Sequence, residues 1–83
     1  MIFDLNNASD LDNRISDVVI VGAGAAGIYL ALALEKHGKK ITLLEGGGLD
    51  YSDDSQLLYD GISIGKHHLP YGLKDSRMRF LGG

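Results

Sequence analysis

Eighty-three residues with a net charge of −3 and no cysteine make one small domain at most, and they exclude disulfides, thiolate metal sites and cysteine nucleophiles. The acidic balance supplies no basic patch to displace phosphate counterions, so nucleic acid is not an expected partner. A chain this short buries only about 60% of its unfolded surface, which limits the core that its 45% hydrophobic residues can build.

The opening, MIFDLNNASDLDNRIS, mixes Ile2, Phe3 and Leu5, which can pack on a surface, with Asn6, Asn7, Ser9, Asp10, Asp12 and Asn13. The latter favour caps and turns, so residues 1–16 are expected to be an irregular lead-in. Asn7-Ala8-Ser9 matches a glycosylation acceptor, a match common by chance and without consequence in the cytoplasmic protein expected here.

Residues 17–48 carry the organising signal, DVVIVGAGAAGIYLALALEKHGKKITLLE followed by Gly46-Gly47-Gly48. Val18 to Val21 is a short β-branched run, as expected of a strand buried on both faces. Gly22, Gly24 and Gly27 follow in G-x-G-x-x-G spacing, turning the chain from that strand directly into a helix expected over Ala25 to His37. Gly22 permits the sharp turn, Gly24 lacks the Cβ that would keep a pyrophosphate from the backbone, and Gly27 lets the helix lie close on the sheet. The helix N-terminus aims unpaired N–H groups at that pyrophosphate.

Gly38 supplies the helix stop, and Ile41, Thr42, Leu43 and Leu44 form a second apolar strand. It ends at Glu45, eighteen residues past Gly27, close to the roughly 20-residue offset at which an acid meets the adenosine ribose. A carboxylate there accepts from a ribose diol and repels a 2′-phosphate, so FAD or NAD is expected rather than NADP. Gly46, directly after it, is a further candidate for a cofactor contact.

The helix is apolar nearly all round from Ile28 to Leu34, which calls for cover on more than one side. The rest of the sequence is too polar and glycine-rich to provide it. A single crossover does not complete a doubly wound fold, so the chain is expected to be part of something larger. The uncharged run Val18 to Leu34 superficially suggests a membrane or export segment. It is shorter than the roughly 20 residues of a spanning helix, and its glycine spacing suits a dinucleotide turn. The acidic lead-in, with Asp4, Asp10, Asp12 and Asp17 against Arg14, lacks the positive region of a signal.

Residues 49–83 form an excursion of different character. Ser52 or Asp53 is placed to cap a short helix containing Gln56, Leu57, Leu58 and Tyr59. Asp53 and Asp54 have no partners at ligand spacing and are expected to be a solvated cap rather than a metal site. Turns are expected at Asp60-Gly61 and Pro70-Tyr71-Gly72, with a short extended piece at Ile62 to Ile64. His67 and His68 are the only obvious acid/base candidates, and adjacent histidines do not share a face. Arg77 and Arg79, two apart, would face one side of an extended segment, as a surface strand or as an anion clamp beside a pyrophosphate.

Asp17 to Glu45 with Gly46-Gly47, followed by Ser76-Arg77-Met78-Arg79-Phe80-Leu81-Gly82-Gly83, resembles the N-terminus of the glucose-methanol-choline (GMC) oxidoreductases, most of all their bacterial sugar- and polyol-oxidising branches. The first motif is common to many flavoproteins; the second, an R-x-R-x-L-G-G element, is more discriminating. Together they cover about half of the chain. The resemblance implies an α/β fold, the βαβ start of a Rossmann-like FAD-binding domain, and FAD held non-covalently or sometimes covalently. It implies hydride removal from an alcohol or sugar carbon to the flavin. It also implies that Gly22, Gly24, Ala25 and Ala26 hold the pyrophosphate and Glu45 the adenosine ribose. Arg79, Gly82 and Gly83 would then lie along the pyrophosphate and ribityl chain. The serines that follow this element in the family, and the catalytic histidine far downstream, have no counterpart here, so no catalytic residue is assigned. The second class of function is a small stand-alone protein that binds an adenine dinucleotide or a partner chain without chemistry.

Overall fold

The computed structural model describes residues 1–7, 14–68 and 70–83. The regular part is one parallel strand pair with its crossover helix. Strand β1 is Val18–Val21, helix α1 is Ala25–Lys36, and strand β2 is Ile41–Leu44. Val18 pairs with Ile41 and Val21 with Leu44, in register along the whole ladder. The Asp17 carboxylate accepts the Lys40 N–H at 2.7 Å, and the Ser16 and Thr42 hydroxyls hydrogen-bond beside it. Both contacts tie the start of β1 to the start of β2.

Helix α1 ends one residue short of the expected His37, which serves as its C-cap. Gly38, at φ 77°, takes the left-handed conformation that closes the helix. Its N–H donates to Glu35 O at 2.9 Å, and that of Lys39 donates to Leu34 O at 3.1 Å. This pair of bonds is a Schellman motif, which satisfies carbonyls that the helix end would otherwise leave open.

Strand β1 is not buried on both faces. Ile20 points at the helix and is 9% exposed, whereas Val19 and Val21 lie on the opposite face, Val21 at 83%. One crossover helix covers one face of the pair, and among the described residues nothing covers the other. Tyr29, Leu30 and Leu32 on α1 are likewise exposed, as the all-round apolar pattern predicts for a helix with one partner surface. The radius of gyration is 15.5 Å, against about 12 Å for a compact domain of this length.

In the lead-in, Asp4 organises a turn, its carboxylate accepting Asn6 N–H at 2.9 Å and Asn7 Nδ2 at 3.2 Å. Ser9, Asp10, Asp12, Asn13 and the Ala8-Ser9 part of the acceptor triplet lie outside the described residues.

After β2 the chain has little regular structure. A four-residue helix, α2, spans Asp53–Gln56, and a 3-10 turn continues it over Leu57–Tyr59. Ser52 is the N-cap, its hydroxyl accepting Ser55 N–H at 3.1 Å, as its position suggested. A second 3-10 turn covers Leu73–Asp75. Ile62 and Ile64 are exposed and belong to no strand.

Candidate functional site

The site is built where β1 ends. Gly22 takes φ 104°, a conformation that favours glycine, and its N–H donates to Leu44 O at 2.7 Å. Helix α1 then begins at once. A Cβ on Gly27 would collide with the Gly22 carbonyl and touch Ile20, so the helix lies on the strand end as closely as the third glycine allows. A Cβ on Gly24 would meet nothing within 4 Å. The two glycines therefore do opposite work: Gly27 is filled by the protein, and Gly24 leaves space. Gly24 is also the N-cap and supplies no side chain to the helix end, and the first turn has no acidic residue. With no acidic side chain of the helix against it, the positive end of the dipole at the start of α1 suits an anion.

Ala23, between the first two glycines, is fully buried and joins three segments. Its N–H donates to Glu45 Oε2 at 2.8 Å, and its carbonyl accepts Gly82 N–H at 2.8 Å. The other Glu45 oxygen accepts Gly47 N–H at 2.8 Å. The Gly47 and Ala23 N–H groups, then Gly46 N–H and the Arg79 guanidinium, hold the Glu45 carboxyl below the usual carboxylate range, against the opposing effect of partial burial. The carboxylate is therefore ionised and fixed, and its remaining lone pairs are free for a further donor.

The tail meets this junction. Gly24 bridges to Gly82 and Gly48 to Phe80, and Leu81 N–H donates to Gly48 O at 2.9 Å. A cleft of about 450 Å³ opens between the motifs, lined by Gly22, Gly24, Glu45, Tyr59, Arg77 and Gly83, within the size range of small-molecule sites. Arg79 lies to one side of it. Its Nη1 donates to Ser55 Oγ at 2.7 Å, and a Cβ on Gly46 would sit 2.6 Å from its Nη2. Gly46 thus makes room for the Arg79 guanidinium. The two arginines do not form a joint clamp: Arg77 stacks on the Tyr59 ring with its guanidinium carbon 4.2 Å from the centroid, because the tail here is no strand and its side chains do not alternate.

Three residues escaped sequence reasoning. Ala23 sits at a variable place in the motif, Ser55 looks like the end of a polar loop, and Gln56, expected on the short helix, carries no signal of burial, yet it is 4% exposed. Its Nε2 donates to Lys74 O at 2.5 Å and Arg77 O at 2.7 Å, and its Oε1 accepts Arg79 N–H at 2.9 Å. His67 and His68 are exposed and are not among the residues that line the cleft. No group of acidic or histidine side chains able to hold a metal occurs among the described residues, and no helix among them is long and apolar enough to cross a membrane.

A family profile described as pyridine nucleotide-disulphide oxidoreductase matches residues 16–76. The chain belongs to that family. This agrees with the Rossmann-like βαβ start and points to FAD or a related dinucleotide as the cofactor. Among curated proteins, the chain is 62% identical over 29 residues to the FAD-dependent oxidoreductase dbaF of Emericella nidulans, which is 35% of this chain and 6% of that protein. It is 34% identical over 59 residues to the GMC oxidoreductase family protein Mala s 12 of Malassezia sympodialis, 70% of this chain and 10% of that one. The matched stretch is thus a tenth or less of the length of these relatives. No solved structure matches.

Proposed function

We propose that the chain is the N-terminal, ADP-binding segment of a cytoplasmic FAD-dependent oxidoreductase of the GMC type, whose complete form oxidises CH–OH groups of a sugar or polyol. The observation that supports this reading is the meeting of the two motifs at one cleft: Ala23 bonds to Glu45 on one side and to Gly82 on the other. The match to a GMC relative over 59 residues favours the same group.

The residues present fit the cofactor's chemistry. The open face of Gly24 and the first N–H groups of α1, at Ala25 and Ala26, receive the pyrophosphate. The ionised Glu45 accepts the ribose hydroxyls and disfavours a 2′-phosphate. Gly82 and Gly83 run beside the turn as a surface without side chains, and Arg79 at Gly46 adds positive charge nearby. Bound FAD supplies a two-electron acceptor for a carbon-bound hydride. The proton-accepting base is assigned to no residue of this chain, and the outer faces of β1 and α1 are left for a complementing part of the fold.

Calorimetry and flavin fluorescence with FAD and NAD, on the chain and on Gly24→Val, test the proposal. Micromolar FAD binding that the valine abolishes, with unchanged circular dichroism, is the expected result. A folded chain that binds neither nucleotide overturns it. A second reading, an NAD site, is favoured by the pyridine nucleotide family match; it leaves Arg77 to Gly83 without a role and requires NAD to bind more tightly than FAD.

A further inference from the structure

We infer that Gln56 is a positioning residue for the dinucleotide site, its amide holding the tail across the glycine turn; the ligand part of this rests on the function proposed above. Gln56 ends α2, outside the strand and helix unit, and is the buried polar residue of the described chain. Burying an amide is unfavourable unless its groups are paired, and here both ends are. Two donors reach the carbonyls of Lys74 and Arg77, and one acceptor takes the Arg79 N–H. This set fixes the amide's orientation, since carbonyls require the nitrogen and an N–H requires the oxygen. Glutamate lacks the donors and lysine the acceptor.

The three anchored residues lie immediately before the stretch that touches the turn. Three residues beyond Arg79, Gly82 N–H reaches Ala23 O, and a Cβ on Gly83 would lie 3.4 Å from Gly24 Cα. Ser55, the neighbour of Gln56, holds the Arg79 guanidinium while Gln56 holds the Arg79 backbone. One turn of helix thereby sets both the course of the tail and the place of its cation. Releasing the amide frees the tail and spares the strand ladder, whose bonds lie elsewhere.

The test compares the 83-residue chain with Gln56→Leu and Gln56→Glu by FAD titration and by amide hydrogen exchange. For Gln56→Leu the expected results are roughly tenfold weaker FAD binding and roughly tenfold faster exchange at Arg79, Leu81 and Gly82, the scale of one or two lost hydrogen bonds. Amides of Ile20 and Leu43 exchange as before. Gln56→Glu keeps an acceptor for the Arg79 N–H but loses the donors to Lys74 O and Arg77 O. It is expected to weaken FAD binding at pH 7 and to recover part of its affinity as pH falls to 5, where a protonated carboxyl can donate, while the unsubstituted chain does not change in that window. A purely structural role moves Ile20 and Leu43 together with the tail, and that result overturns the inference. Unchanged exchange at Arg79 also overturns it, as does unchanged FAD affinity alongside a released tail. Absence of FAD binding in the unsubstituted chain overturns the proposed function instead, and Arg79 exchange then still decides whether Gln56 holds the tail.

Discussion

Residues 17–48 and residues 49–83 are held by different chemistry. The first segment is secured by its own backbone: a parallel ladder, a helix and a Schellman stop, each with a local sequence signature. Among its described residues the second has four residues of helix and two 3-10 turns, and side chains bonding to distant backbone hold it in place. Gln56 and Ser55 grip the tail, and Gly46 and Gly47 let it approach. The difference suggests that the first segment forms the site's floor and the second its adjustable side wall.

The comparison breaks most severely at Gly27. Gly27→Ala puts a Cβ against the Gly22 carbonyl and should cost about 3 kcal/mol, the upper range for overpacking, seen as loss of helical circular dichroism and of a cooperative melt. Gly47→Ala sharpens it, since its Cβ would collide with the Arg79 carbonyl. The tail amides should then lose exchange protection by about 1 to 2 kcal/mol while those of β1 and β2 keep theirs.

Acid should act on the link between the segments. The Glu45 carboxyl is held below its ordinary value, so its contribution is complete above about pH 4.5 and is lost as pH falls through the lowered value. Glu45→Gln should remove that acid-sensitive step from a pH titration of tail exchange. The smallest effect is expected at Tyr29, which is 76% exposed. Tyr29→Ser should change stability by less than about 0.5 kcal/mol in a denaturant melt and should reduce self-association, because it removes apolar surface from the bare helix face.

The same division explains what the sequence disclosed. The places of β1 and β2, the helix stop at Gly38 and the choice of Ser52 or Asp53 as cap follow from residue types at short spacing; the strands stop one residue inside the expected Asp17 and Glu45, and Ser52 is the cap. The glycine turn and Glu45 were legible because each has a steric or charge requirement of its own. Gln56 was not, since bonds from one amide to carbonyls 18 and 21 residues away leave no periodic trace. The exposure of Val19 and Val21 was missed for another reason: a β-branched run shows that a strand is suited to burial on both faces, while the cover itself must come from other elements. Arg77 and Arg79 looked like a pair by spacing, yet Tyr59 and Ser55 separate them.

The central claim is that the glycine turn and the tail form one dinucleotide site. Titrating FAD into the isotopically labelled chain while following backbone amide shifts tests it most directly. The account predicts that Gly24, Ala25, Gly82 and Gly83 shift together, with one dissociation constant. Shifts at Gly24 and Ala25 with Gly82 and Gly83 unmoved at saturation would contradict it.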